Sequence, residues 1–470
     1  MNNNSAQKHE DALLELKRAT LTVAVSTAFI NPFLGSAINV ALPVIGNQFS
    51  ADAVLLSWVA ISYLLTSTVF MIPFGRLADI CGKKKIYLTG IVIFTISNIL
   101  CAFSNSINSL IAYRVIQGIS SSMIFSTSMA ILISVYPPPE RGKALGMTVA
   151  STYTGLSIGP FLGGMLTQYI GWRSIFWFAF IISSYAVILT IYKLKNLKSD
   201  ASFERFDYAG AALYMIASTL FMYGFTKLPE MIGLLMLTLG VFIGLLFIYV
   251  EKKVQSPVLD IKLFFNNRRF AFSNLAALIN YSATFGLGFL LSFYLQYNRG
   301  MSPKDAGTTL IAQPIIMALF SPLIGRLSDK VEPAVLSSIG MGITSIGLFL
   351  FSLLGPDTSI SLIVLNLVMM GFGFALFSSP NINAVMSSVE KKTYGIASGI
   401  LSTMRTTGQM LSMGISSMMI SIYIGKQKIG PDNQSDFLAC VDMAFMIFAI
   451  LCTIGIFCSL SRGKMHEGVK

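Results

Sequence analysis

Pro73-Phe74-Gly75-Arg76-Leu77-Ala78-Asp79-Ile80-Cys81-Gly82-Lys83-Lys84-Lys85-Ile86 decides how this 470-residue chain is read. It is a short, charged turn between two long apolar runs, and its core occurs twice. Gly75-Arg76-Leu77-Ala78-Asp79 returns 250 residues later as Gly325-Arg326-Leu327-Ser328-Asp329. A second pair keeps the same register: Glu140 with Arg141 and Lys143, then Glu390 with Lys391 and Lys392. Two features at one offset imply two related halves, the plan on which many membrane transporters are built.

Composition gives the class. The chain is 54% hydrophobic and 11% charged, against about 25% charged residues in a soluble domain. Its mean hydropathy is +0.71. Nearly all of it falls into runs long enough to cross a ~30 Å hydrocarbon core, which takes ~20 helical residues. Unbroken runs exclude a barrel, whose strands would alternate. The first run, about 20–44, is too long for a signal-peptide core and lacks a small-residue cleavage site, so it reads as a retained span.

Fourteen spans are predicted between 20 and 460, and an even number puts both tails on one side. Assigning that side to the cytoplasm places 25 Lys and Arg inside and 6 outside, which fits the positive-inside rule. The same distribution explains the net charge of +12 and argues against nucleic acid as a partner. The turn follows span two and its copy follows span ten, so two spans are inserted between the halves. The expected division is 1–192, a six-helix half; 193–260, inserted helices seven and eight with basic loops; and 261–470, the second six-helix half.

Five cysteines (Cys81, Cys101, Cys440, Cys452, Cys458) show no metal spacing and read as free thiols. No metal or cofactor is expected. His9 and His466 lie in the polar tails, which leaves no histidine relay inside the membrane. No Gly-x-x-x-x-Gly-Lys-Ser/Thr loop is present, so ATP does not drive the chain. With inter-span loops under twenty residues and no catalytic cluster, an enzyme is not expected.

Three motifs resemble the major facilitator superfamily, specifically its fourteen-span drug exporter branch, across essentially the whole chain. They are the turn Gly75-x-Leu77-Ala78-Asp79-x-x-Gly82-Lys83-Lys84, Arg114-x-x-Gln117-Gly118 in span four, and Gly155-x-x-x-Gly159-Pro160-x-x-Gly163-Gly164 in span five. The resemblance implies an all-α major facilitator fold and secondary active efflux of amphipathic small molecules, of multidrug or antibiotic type, by proton antiport from the cell membrane. Expected partners are a small-molecule substrate, protons and membrane lipid, with the chain acting as a monomer. Uptake or export of a neutral or anionic metabolite is the alternative, and a sensor or enzyme on the same scaffold is the rival of another class.

Each motif has physics of its own. Asp79 lies at headgroup level among Arg76 and Lys83, where a carboxylate can hold its own loop's cations or a helix N-terminus. With Gly75 and Gly82 allowing a tight turn, this reads as a conformational latch, repeated by Gly325, Arg326 and Asp329. Gly155, Gly159 and Gly163 fall on one side of a helix and allow close backbone approach. Beside Gly164, Pro160 permits a bend, and the stripe is expected to pack between the halves.

Arg114 and Arg405 are the charges inside spans. Arg114 lies about six residues, ~9 Å, from the outer end and could snorkel outward. Arg405 lies about eleven residues in, ~17 Å, where a charge faces a wet cavity or a partner. Adding 250 to Gly155 and Gly159 gives Arg405 and Gln409, so the second half carries polar groups where the first has glycine. Gln117, Gly118, Asn31, Asn39 and Gln313 join the cavity candidates, with Asn280, Asn381 and Asn383 as uncharged alternatives.

The first-span motif of the branch normally carries an aspartate where this chain has Leu34. Of the 21 acidic residues, Asp207 and Asp442 alone fall inside the apolar runs, and both lie near the ends. No carboxylate is therefore expected at the membrane centre, which weakens proton antiport. It also favours neutral, zwitterionic or anionic substrates over cations.

Overall fold

The computed structural model describes residues 2–194, 206–254, 257–259, 264, 267–390, 394–425 and 427–463. The basic stretches 195–205 and 260–263, with Lys391 and Lys392, lie outside the described residues. Those described form fourteen long helices and no strands. In chain order they are α1 (Asn2–Phe49), α2 (Ala53–Cys81), α3 (Lys83–Ala102), α4 (Ile107–Val135), α5 (Pro138–Tyr169), α6 (Arg173–Lys193), α7 (Tyr208–Thr226) and α8 (Met231–Glu251). Then follow α9 (Arg268–Asn298), α10 (Pro303–Leu327), α11 (Pro333–Phe351), α12 (Ile360–Ser387), α13 (Tyr394–Tyr423) and α14 (Gln434–Leu460). Twelve are long and apolar enough to span a membrane. The glycine-, serine- and threonine-bearing α5 and α13, of 32 and 30 residues, complete the set.

Packing repeats as the sequence does. In the first half α1 lies on α5 and α6, α2 on α4, and α3 on α4 and α6. In the second, α9 lies on α13 and α14, α10 on α12, and α11 on α12 and α14. The fold is the expected one, two six-helix halves with two inserted helices. The inserted α7 and α8 pack on each other, and α7 bridges α2 and α13. Trp58 meets Tyr223 with ring centroids 5.4 Å apart. A Cβ on Gly414 would stand 2.7 Å from the Phe225 ring, so glycine admits this contact.

The opening motif is more helical than its charge suggests. α2 runs through Arg76 and Asp79 to Cys81, and the turn is one residue, Gly82, at φ +97°. Glycine reaches that backbone region without strain. Gly75 has a different role from the expected one: it is mid-helix and faces Ser126 of α4 at 3.6 Å. Its copy Gly325 faces Ser379 of α12 at 3.8 Å, the equivalent contact. The second copy ends earlier, at Leu327, and Glu332 occupies the position of Gly82.

The halves are joined from the membrane centre to the end opposite the termini. Near the centre, Ser157 Oγ donates to the Pro314 carbonyl at 2.9 Å, and Tyr153 and Ser378 hydroxyls pair at 2.6 Å. Farther out, Ser57 Oγ donates to Ser417 Oγ at 2.9 Å. Pro43 has no N–H for the Asn39 carbonyl four residues back, and Ser292 Oγ donates to that carbonyl at 2.8 Å. Gln296 Nε2 donates to the Val40 carbonyl at 2.9 Å, and Tyr297 to that of Pro43 at 3.3 Å.

The glycine stripe of α5 corrects one expectation. A Cβ on Gly155 would stand 2.3 Å from the Phe29 carbonyl, on Gly159 1.8 Å from Ser36 Oγ, and on Gly163 2.6 Å from Ala37 Cβ. All three contacts are with α1, inside the first half rather than between halves. Their common side faces α1, and the adjoining side meets α10. That second contact uses Gly164, against the Pro303 carbonyl, and Pro160, whose carbonyl lies 2.1 Å from the Cβ position of Gly307.

Candidate substrate cavity

A central cavity of about 370 Å³ lies between the halves. Its walls come from α1, α2, α4 and α5 on one side and α9, α10, α12 and α13 on the other. The repeat offset of 250 relates the walls: Asn31 corresponds to Tyr281, Tyr63 to Gln313, and Ser128 to Ser378, all lining residues. Asn31, Asn39, Arg114, Pro160, Gln313, Asn381, Arg405 and Gln409 also line it, and no lining residue is a carboxylate.

Arg405 projects from α13 into this space. Its guanidinium carbon lies 5.7 Å from the centre of the Tyr281 ring, inside the range of a cation–π contact. The Tyr281 ring in turn meets Phe374 edge-on, with centroids 5.6 Å apart. A close contact of α13 with α9 falls three residues farther on, at Gly408, whose Cβ would stand 2.5 Å from the Leu278 carbonyl. This displacement leaves the position equivalent to Gly155 free to carry a long side chain.

Arg114 is held differently. It is 2% exposed, so it does not snorkel to the surface. Nε donates to the Val59 carbonyl at 3.0 Å and Nη1 to Gln117 Oε1, while the guanidinium lies 4.3 Å over the Tyr63 ring. Gln117 Nε2 donates onward to Asn98 Oδ1 at 2.8 Å. Tyr63 and Ser121 hydroxyls converge on Asn31 Oδ1, each at 3.0 Å. One network thus ties α1, α2, α3 and α4 together. Gln117 and Gly118, expected in the cavity, stand behind its wall. A Cβ on Gly118 would lie 2.4 Å from the Tyr63 carbonyl, which makes it a packing glycine between α2 and α4.

The residues expected to form a latch lie at the end bearing the termini. Lys83 Nζ approaches Asp79 Oδ1 to 3.8 Å across Gly82, both groups partly exposed; such a pair contributes about 0–1 kcal/mol. In the second half, Asn383 Nδ2 donates to Ser328 Oγ at 2.9 Å and to Asp329 Oδ1 at 3.3 Å. Arg326 is exposed. Asn383 is therefore tied to the repeated motif and not to the cavity. Asn280 is buried away from the cavity, with neither amide atom hydrogen-bonded.

Several groups were not singled out from the sequence. Tyr281 and Tyr63 would have emerged had the offset been applied to every polar candidate. Glu251 ends α8 at 3% exposure, beside Asp207. One oxygen of each lies within 3 Å of the Cβ position on Gly210 and lacks a hydrogen bond. Arg462, just beyond α14, is 2% exposed and donates to Asn381 Oδ1 at 3.0 Å. Burial pushes its guanidinium down to about 10, so it remains charged near neutral pH.

Comparison with known proteins agrees with this geometry. The chain is 30% identical over 446 residues to the riboflavin transporter RibZ of Clostridioides difficile, covering 94% of this chain and 97% of that one. It is 28% identical over 394 residues to the multidrug resistance protein Stp of Mycobacterium tuberculosis, covering 82% and 73%. A bacterial homolog of the human lysosomal transporter Spinster, solved in an inward-facing, unoccupied conformation, superposes with a TM-score of 0.67. It shares 16% identity and covers 95% of this chain and 97% of that one, which supports the fold. Residues 24–413 and 273–464 match the family model of the Major Facilitator Superfamily. With that match, the repeated halves and the cavity between them, the chain belongs to the Major Facilitator Superfamily, a family of transport proteins rather than enzymes.

Proposed function

We propose that the chain is a secondary transporter that exports small amphipathic molecules, neutral or anionic, across the cell membrane. Its substrate would occupy the central cavity while the halves, 1–192 and 261–470, rock about it. The observation that carries this is Arg405: a cation in the cavity wall, with no hydrogen bond or ion pair among the described residues and no lining carboxylate. Such a wall disfavours cations and suits an acceptor-bearing substrate. The multidrug relative supports export. Arg405→Ala is expected to reduce substrate flux in proteoliposomes to background while leaving thermal stability unchanged, and normal flux would remove Arg405 from the site.

Uptake is the second reading, since the riboflavin transporter among the relatives bears a name that states no direction. Accumulation of substrate in intact cells, against depletion, separates the two. In either direction the Asp79–Lys83 pair and the Asp329–Asn383 contact serve as latches that part when the inner end opens. Proton antiport has no lining carboxylate to run through, so Asp79 at the inner foot is its best single carrier. Substrate flux under an imposed pH gradient with the potential clamped tests this: flux that survives Asp79→Asn excludes Asp79.

On this reading both termini lie in the cytoplasm. Cys81 is exposed at the end of α2. A membrane-impermeant maleimide should label it in inverted vesicles and leave it unlabelled in intact cells. Labelling from outside would reverse the orientation.

A further inference from the structure

The cavity also carries a pattern of donors, acceptors and ring faces that constrains its substrate more closely. On the donor side stands Arg405, whose guanidinium presents a planar fork of N–H groups. On the stacking side stand Tyr281, beneath that guanidinium, and Phe374, edge-on to Tyr281. The acceptors come from proline. Pro160 lies inside α5 and Pro314 just after the break in α10 at Ile311, and neither has an N–H for the carbonyl four residues back. Those carbonyls belong to Leu156 and Leu310, and both residues line the cavity on the two sides of the seam between the halves.

We infer that the substrate is a planar conjugated ring with two adjacent hydrogen-bond acceptors on one edge and hydroxyl donors on a flexible tail. The ring stacks on Tyr281 with Phe374 standing across its edge, and its acceptor edge meets the Arg405 fork in a bidentate pair. Hydroxyls of the tail donate to the carbonyls of Leu156 and Leu310. A ring carrying a fixed positive charge is rejected, because Arg405 faces it and no lining carboxylate offsets the repulsion. The inference rests on the reading of Arg405 as a substrate-facing residue, and it holds for export and uptake alike.

Riboflavin is a suitable probe: a flat tricycle with adjacent ring-nitrogen and carbonyl acceptors, bearing a polyhydroxylated chain. Lumichrome keeps the ring and lacks the chain, and ethidium is a planar cation. The full chain in lipid nanodiscs is titrated with each, and binding is read from quenching or polarisation of the ligand's own fluorescence. Riboflavin should bind saturably, lumichrome more weakly, and ethidium at least tenfold more weakly than riboflavin. Arg405→Ala should weaken riboflavin roughly ten- to hundredfold, as expected for losing hydrogen bonds to a charged group. Arg405→Lys should recover part of that loss, since it keeps charge without the fork. Tyr281→Ala should weaken riboflavin and lumichrome alike. Thermal unfolding of each variant separates misfolding from lost contacts. Absence of saturable riboflavin binding to the wild type, or unchanged affinity in a folded Arg405→Ala protein, overturns the inference. So does ethidium binding as tight as riboflavin. Because binding is measured without transport, a failed export reading shows up in vesicle flux and leaves these affinities intact.

Discussion

Oxidation of a Ser57→Cys, Ser417→Cys double variant is expected to abolish transport, and reduction is expected to restore it. The two hydroxyl oxygens lie 2.9 Å apart on α2 and α13, one from each half. Sulfurs placed there are within reach of the ~2.05 Å bond a disulfide requires. The contact belongs to the end opposite the termini, where the seal also includes Ser292 on Asn39 and Gln296 on Val40. Alternating access requires this end to part, so a covalent bond across it should hold the cavity closed on that side. Cys81, which is exposed, and Cys458, which is half-buried, are replaced by serine so that one pair alone can oxidise. Substrate binding from the other side should survive, because the cavity itself is untouched. Undiminished flux in a fully cross-linked sample would show that the α2–α13 seam does not open.

The second large effect is expected at Arg114. Replacing it by leucine removes the donors to the Val59 carbonyl and Gln117 and the cation over Tyr63. Hydrogen bonds to a charged group contribute about 1.5–3 kcal/mol each, and a desolvated cation–π contact about 2 kcal/mol. Relief of a buried charge offsets part of this, so a net loss of roughly 2 kcal/mol or more remains. Arg114→Lys should fare little better, since lysine cannot reach both partners with one fork. Thermal unfolding in detergent measures the effect. Unchanged unfolding with lost transport would assign Arg114 to the transport cycle instead of the scaffold.

The contrast between the two arginines shows what could be read from the chain alone. Span number, the repeat and the absence of central carboxylates were legible because each depends on residue order or composition. Whether an intramembrane arginine is caged or free was not. Both arginines fall inside predicted spans, and the difference lies in neighbours from other helices: the Val59 carbonyl and the Tyr63 ring hold one, and the Tyr281 ring lies beneath the other. The direction of the glycine stripe failed for the same reason. Spacing shows that Gly155, Gly159 and Gly163 share a side, but which helix meets that side is a property of the assembled bundle. The motif turn was misjudged through charge: Arg76 and Asp79 looked like loop residues, yet a helix end at headgroup level accommodates both.

The seal between the halves has one further consequence. On one side of the bonds from Ser157, Ser292, Gln296 and Tyr297 stands a side chain, and on the other a backbone carbonyl of Pro314, Asn39, Val40 or Pro43. A carbonyl survives almost any substitution at its own position. In these four bonds the accepting face is thus encoded in helix geometry, whereas Arg405, Tyr281 and Gln313 meet the cavity with side chains. Mutation can remodel the wall for a new cargo without disturbing the acceptors that close it. That separation makes the scaffold evolvable, and it suits a family whose members near 30% identity bear names as different as riboflavin transporter and multidrug resistance protein.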